Sequence, residues 1–402
     1  MSVYLLATLD TKGHETAFIR DRLAALDVPV KVVDTGCLGE PAIDADIARE
    51  DVFTAAGVSL QQMRDGGDRG EAVAQAAAGA TRLVVEAHHR GEVSGVIGIG
   101  GGAGTLIGTT AMRALPLGVP KVMVSTLASG DVRAYVGDKD VMMLNSIVDI
   151  LGLNRISRTV LAEAAHAMAG MVQFHVDTTS HDDKPMVAAT MFGLTTPCVE
   201  RAREVLEAAG YEVLVFHATG AGGQAMESLI REGLIAGVLD ITTTELADEI
   251  VGGVLSAGPT RLSAAAELGI PQVVAVGATD MVNFWALETV PEKFKDRQLH
   301  RHNDNITLMR TTADECERIG RWIAEKTSQS TGPAAVLLPL EGVSGIDRPG
   351  QPFDDEQIRQ AMYAAIHEHA DGVEVVDIDA HINDATFAEA AAERLIAMMK
   401  QS

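Results

Sequence analysis

Short β-branched runs alternate with alanine-rich stretches of helical spacing along the whole chain, and this alternation constrains the fold more than any single motif. In the first half the strand candidates are residues 3–8, 30–33, 96–99 and 121–124. Helical candidates lie between and after them at 14–26, 43–56, 69–90, 105–115 and 155–171. The polar stretch "HVDTTSHDDKP" then interrupts the pattern, and the same grammar restarts. Strands are predicted at 186–190, 212–216, 237–239, 272–276, 335–338 and 373–376, with helices at 196–209, 221–232, 261–268, 313–326, 354–369 and 384–399. Strand, helix, strand at this spacing implies right-handed crossovers and parallel sheets covered on both faces. At 402 residues the chain is too long for one ordinary core. The expectation is an α/β protein of two doubly wound units with mainly parallel sheets, residues 1–180 and 181–402.

Composition enters where it bounds partners. Hydrophobic residues make up 47% and aromatics only 4%, which suits helices packed closely on parallel strands. A formal net charge of −24 argues against nucleic-acid backbones and anionic membranes as partners. It leaves room for a bound nucleotide, because local amides and a metal offset phosphate charge. Cys37, Cys198 and Cys316 are scattered without metal-ligand spacing and read as free thiols in a reducing compartment. The opening "MSVYLLATLDTKGHE" has a short apolar run with no basic segment before it, so neither a signal peptide nor a membrane span is expected. The expected location is cytoplasmic.

In open α/β sheets, ligands gather at the carboxyl ends of the strands. Four successive predicted strand ends carry suitable groups: "TLDTKGHE" with Thr8, Asp10, Thr11 and Lys12, "VDTGCLGE" with Asp34, Thr35 and Gly36, "GIGGGAGT", and "STLASGD". Any one of these alone is more often a turn or a helix cap; their convergence is the signal. The glycine loop lacks the Gly-Lys-Ser/Thr ending of a Walker loop. Gly98 to Ala103 satisfies G-x-G-x-x-[GA], yet it follows the third predicted strand, whereas a dinucleotide fold puts this fingerprint on its first turn. What remains is Gly100, Gly101 and Gly102, then Gly104 and Thr105 opening a helix. Bare backbone N–H groups and a helix N-terminus there suit a phosphate; the plainer reading is a tight turn with Thr105 as a cap.

The second half offers "DITTTELADEIVGGVLSAGPTRL". Asp240 ends a strand, Thr243 and its neighbours cap a helix, Glu245 lies near its first turn, and Arg261 suits an anionic group or a plain surface position. "LHRHNDN" brings His300 and His302 two residues apart, so on an extended segment both imidazoles face one side. "PLEGVSGIDRPGQPF" reads as a binding loop or lid through Glu341, Ser344 and Asp347. It is not G-x-S-x-G, so a hydrolase nucleophile elbow lacks support. A second glycine cluster, "HATGAGGQAMESL", loosely echoes the first but brings fewer groups suited to a Mg-triphosphate.

Several of these stretches together resemble one family: the uncharacterised protein family that includes the ATP-binding domain of the tomato mosaic virus resistance protein. The matching pieces are "LATLDTKGHE", "GIGGGAGT", "HATGAGGQAMESL", "DITTTELADEIVGGVLSAGPTRL", "DMVNF" with "TVPEKF", "HRHNDNITLMRTT" and "PLEGVSGID", in order over almost the whole chain. The resemblance implies a pair of Rossmann-like subdomains, ATP binding and a homodimer. It supplies no reaction.

The combined expectation places ATP over Thr8, Lys12, Gly100, Gly101, Gly102, Gly104 and Thr105, with Asp10 or Asp34 holding Mg²⁺ and Lys12 neutralising phosphate charge. The second unit would present Asp240, Thr243, Arg261 and His300 to an unknown small-molecule cosubstrate, in an arrangement suited to phosphoryl or adenylyl transfer. Two rival readings are a non-catalytic nucleotide-responsive dimer module, and a metal-assisted hydrolase or lyase centred on the histidine pair.

Overall fold

In the computed structural model, which describes residues 1–174 and 183–401, the chain forms two compact units, Met1–Thr179 and Ser180–Ser402. The expected crossover stretch, 175–185, lies outside the described residues over 175–182. The first unit holds β1 (Ser2–Ala7), β2 (Val30–Asp34), β3 (Val93–Gly100), β4 (Lys121–Ser125) and β5 (Met142–Asn145). They form one sheet in the order β2-β1-β3-β4-β5, every pair parallel. This is a doubly wound order whose direction reverses between β1 and β3. Buried strands explain why continuous apolar runs such as Val3–Ala7 fold here. Leu9–Ala24 and Arg155–Gln173 cover one face around Leu5, Ile97 and Val124. Arg69–His89 and Gly102–Arg113 cover the other around Tyr4, Val96 and Met123.

The second unit repeats this order and adds a strand. Its members are β6 (Met186–Met191), β7 (Glu212–His217), β8 (Gly237–Thr242), β9 (Gln272–Gly277), then β10 (Met281–Phe284), β11 (Leu299–Arg301), β12 (Thr307–Arg310), β13 (Ala334–Pro339) and β14 (Glu374–Ile378). The main sheet runs β14-β13-β9-β8-β6-β7, all parallel. Between β9 and β13 the chain leaves to build an antiparallel sheet, β10-β12-β11. That excursion was not anticipated, because three- and four-residue strands give too short a pattern to register. The edge strand β5 was missed as well; its Met142 is exposed and its run lacks β-branched residues. No helix among the described residues is long and apolar enough to cross a membrane.

Two helices start elsewhere than expected, and both shifts matter at the carboxyl edge. The first begins at Leu9, so Asp10 and Lys12 are helical in sequence position, with a break in helical geometry at Lys12 (φ −128°, ψ 18°). The helix after β3 begins at Gly102 rather than Thr105. It lies so close to its strand that a Cβ on Gly100 would sit 2.7 Å from Gly104 Cα, and one on Gly104 would sit 2.9 Å from the Ile99 carbonyl oxygen. Those two glycines are therefore required by packing. Gly100→Ala should lower the stability of the first unit by about 1–3 kcal/mol. Calorimetry that finds the melting transition of the first unit unmoved in the folded variant would contradict this close approach.

Candidate functional site

A cavity of about 410 Å³ opens at the carboxyl edge of the first sheet, at the β1/β3 reversal. Its size suits a small-molecule ligand. Thr8, Asp10, Thr11 and Lys12 line it after β1, Thr35, Cys37 and Leu38 after β2, and Gly100 to Gly104 after β3. Met63, Arg64, Asp68, Arg69, Ala72 and Val73 close a further side. Sequence reasoning missed this last wall, whose trace in the sequence is "MRDGGDRG", a glycine pair among four charges.

The glycines of the loop divide by cause. Gly100 and Gly104 answer to packing, but Gly101 and Gly102 do not. A Cβ on Gly101 would meet only Thr126 Oγ1, at an ordinary 3.6 Å, and one on Gly102 would meet nothing within 4 Å. Neither has a positive φ. Their bareness serves the space in front of them. Among the described residues, the N–H groups of Gly101, Gly102, Ala103 and Gly104 donate to no protein acceptor, while Thr105 N–H turns inward to the Gly101 carbonyl at 2.8 Å. Four such donors at a helix start form an anion cradle.

The second unit shows what such a cradle takes. In "HATGAGG" the N–H groups of Gly220 and Gly223 donate to Glu245 Oε1 at 2.6 and 3.1 Å. A Cβ on Gly223 would fall 2.2 Å from the same carboxylate. The second glycine loop thus already holds an anion, supplied by the chain itself.

Charges around the cavity are arranged asymmetrically. The carboxylate of Asp10 accepts from Leu38 and Gly39 N–H at 3.0 and 3.2 Å, and Asp68 caps a helix through Gly70 and Glu71 N–H. The cations meet carbonyls instead: Lys12 Nζ donates to the Ile150 carbonyl, and Arg64 Nε donates to the Cys37 carbonyl at 2.7 Å. No ion pair engages Lys12, Arg64 or Arg69 among the described residues. All three line the cavity, together with the carboxylates of Asp10, Asp68 and Asp149.

Other expected site residues fall elsewhere. Asp34, expected as a magnesium ligand, is buried with both oxygens taken. Oδ1 accepts from Leu9 and Gly36 N–H at 3.0 and 2.8 Å, and Oδ2 pairs with Arg49 Nε at 2.7 Å. Arg49 also reaches the Gly39 carbonyl, so this pair ties together the loops after β1 and β2. Thr105 is buried, its hydroxyl 2.6 Å from Ser125 Oγ and away from the cavity. The hydroxyls of Thr8 and Thr11 lie 2.8 Å apart.

The second-unit candidates are turned inward. Arg261 is fully buried, forking onto Asp240 at 2.5 and 2.7 Å and reaching Glu245 Oε2 at 2.7 Å, with Glu227 at 3.7 Å. Burial pushes the Glu245 and Glu227 carboxyls upward against the pull of Arg261. Thr243 donates to the Ala275 carbonyl at 2.9 Å and is likewise buried. His300 lies on β11 against Phe353, ring centroids 6.1 Å apart. The strand ends at Arg301 and the backbone bends over Asn303–Asn305, with His302 N–H donating to the Ile306 carbonyl; the histidine pair straddles the end of the strand. Among the described residues no group of three or more His, Cys, Asp or Glu is placed to hold a metal.

The loop expected as a lid is a buried polar junction. Ser344 donates to Asp280 Oδ2 at 2.8 Å, and Asp347 accepts from Arg359 at 2.8 Å and from Val343 N–H at 3.0 Å. Burial, then the nearby Asp347 charge, pushes the Asp280 carboxyl up to about 7.

Two family models match the chain: the N-terminal domain of an uncharacterised protein family (UPF0261) at residues 1–177, and the C-terminal domain of the same family at residues 184–399. The chain belongs to this family. A UPF0261 protein of Clostridium tetani is 48% identical over 99% of both chains. One from Mesorhizobium japonicum is 45% identical over 97% of both. The ToMV resistance protein Tm-1(GCR237) of Solanum lycopersicum is 38% identical over all of this chain, which spans 56% of the tomato protein. Among solved structures, the S. aureus MnaA-UDP co-structure covers 100% of this chain at a TM-score of 0.22 and 11% identity, too distant to carry an argument.

Two outcomes follow from the buried charges. Arg261→Met strands three buried carboxylates and should cost the second unit about 3–5 kcal/mol; a urea midpoint within error of the native chain would show the network to be dispensable. For Asp280 the folded pKa is raised, so the native state binds a proton that the unfolded chain has already released. Its stabilising contribution is full below the ordinary carboxylate range and is lost as pH rises towards about 7. Asp280→Asn should therefore flatten the fall in second-unit stability between pH 4 and 7, read from denaturation midpoints across that range.

Proposed function

We propose that the first unit binds ATP, with its phosphates on the N–H groups of Gly101 to Gly104 and its base against the apolar wall. The observation that carries this reading is the open cradle: four donors without an acceptor among the described residues and two glycines that packing does not require, facing a cavity. Three cations without carboxylate partners supply the charge that a triphosphate needs. Leu38, Met63, Ala72 and Val73 offer apolar surface on the same cavity, suited to a purine face. The resemblance to a family with an ATP-binding domain points the same way.

A hydrated Mg²⁺ fits this arrangement through one residue. Asp10 lines the cavity, and magnesium is commonly held by one or two carboxylates together with phosphate oxygens and water. Asp34 is committed to Arg49 and two amides and does not take part. When bound, the ion supplies charge neutralisation along the phosphates. The chain's own share is to orient: the cradle fixes the phosphates and Lys12 lies alongside them.

Titration calorimetry with ATP, ADP and GTP tests the reading. At a hundredfold excess over Kd, ATP should stabilise the first unit by about 2.7 kcal/mol. Gly101→Val and Gly102→Val should each weaken ATP by about tenfold or more while melting close to the native chain, since a Cβ at either position clashes with nothing in the fold. No binding heat and no shift in melting temperature with ATP would sink the proposal, as would undiminished affinity in both folded variants.

A further inference from the structure

The missed wall of the cavity is built unlike the rest of the unit. Its Met63 and Arg64 belong to the short helix Leu60–Gly66, which lies in sequence between the helices Arg49–Ala56 and Arg69–His89. A glycine of positive φ stands at each end, Gly57 at +88° and Gly67 at +68°. A Cβ on either would meet nothing within 4 Å, so these are backbone joints rather than packing contacts. The polar bonds of the segment are mostly its own. Ser59 Oγ accepts from Gln62 N–H at 3.2 Å, Ser59 N–H donates to Gln62 Oε1 at 2.8 Å, and Gln61 Nε2 donates to Asp65 Oδ1 at 2.7 Å. Two side chains tie the helix to the body: Leu60, its single buried residue, and Arg64, whose Nε donates to the Cys37 carbonyl. Met63, half-buried, adds apolar contact.

A piece that makes most of its polar bonds within itself and is held by two apolar side chains and one polar latch can swing without unfolding. Met63 and Arg64 both line the cavity. We propose that helix Leu60–Gly66 is a lid on this cavity and that Arg64 is the contact through which it closes on an anionic ligand. The assignment of that anion rests on the ATP reading; the hinged lid does not. Arg64 then exchanges a neutral carbonyl partner for phosphate oxygens, to which a guanidinium binds as a fork. Closure thereby follows the negative charge of the ligand.

Cys37 reports on the lid, being half-buried while Cys198 and Cys316 are buried. In the full, ligand-free chain, Leu60→Ala should speed labelling of Cys37 by an aromatic disulfide about tenfold, with the other two thiols still protected. An unchanged rate in a folded Leu60→Ala chain would make the helix a fixed wall and overturn the proposal. Amide exchange over residues 58–67 supplies the second arm. Saturating ATP should slow it about tenfold in the native chain, and by much less in Arg64→Ala saturated at higher ATP. Equal slowing in both would remove Arg64 from the closing contact. If calorimetry finds no ATP binding at all, the nucleotide reading fails, while the labelling of Leu60→Ala still judges the lid.

Discussion

Backbone N–H groups at the start of a helix need acceptors, and the two units of this protein meet that requirement in opposite ways. In the second, Glu245 reaches into the glycine loop and occupies the N–H groups of Gly220 and Gly223. In the first, the donors from Gly101 to Gly104 find no acceptor among the described residues. An unpaired amide costs little while water reaches it and a good deal once it is covered. The first loop can remain unpaired because a cavity lies in front of it. The same glycine-rich start of a helix is thus a closed joint in one unit and an open cradle in the other.

Both units share a strand order, which makes the contrast informative. Each main sheet reverses direction beside its first strand, between β1 and β3 in one and between β6 and β8 in the other. The reversal leaves a crevice at the carboxyl edge, because the flanking connections depart to opposite faces. In the first unit that crevice is the cavity. In the second, Asp240, inside β8 two residues before its end, takes the hydroxyl of Thr190 and the fork of Arg261, and the position is filled with buried charge. A buried network of this kind is weak evidence for stability, since desolvation offsets much of the attraction. Its effect is to fix the loops that follow β6 and β8.

Much of this was legible in the sequence, and the reasons are physical. Parallel strands buried on both faces leave continuous apolar runs, so the strand candidates of the main sheets fell where the strands are, apart from β5. The cavity residues after β1 and β3 followed from reading carboxyl ends alone. What stayed hidden depended on partners distant in sequence. Nothing local says that Asp34 pairs with Arg49 or that Arg261 turns inward to three carboxylates, because a carboxylate beside a glycine turn reads alike whether it faces solvent or core. Helix Leu60–Gly66 was hidden for another reason: with one buried residue it has no apolar period to detect.

The placement of charge explains how a chain of net charge −24 can keep cations free of ion pairs at one cavity among the described residues. Net charge acts over the Debye length, about 8 Å at physiological salt, whereas the cavity is governed by groups within a few ångströms. There the lining holds both signs, Asp10, Asp68 and Asp149 with Lys12, Arg64 and Arg69, and the fold keeps them from pairing with one another. Backbone N–H groups take up the carboxylates of Asp10 and Asp68, while Lys12 and Arg64 are held by carbonyls, which orient a cation without cancelling it. At an effective dielectric near 20, an uncancelled charge 4 Å from a phosphate oxygen is worth about 4 kcal/mol before desolvation. Pairing those cations with the same aspartates would have removed that attraction and left the composition unchanged. An acidic chain and a cavity lined by cations free of ion pairs among the described residues are therefore compatible, and hydrogen bonds to the backbone decide which charges stay unpaired.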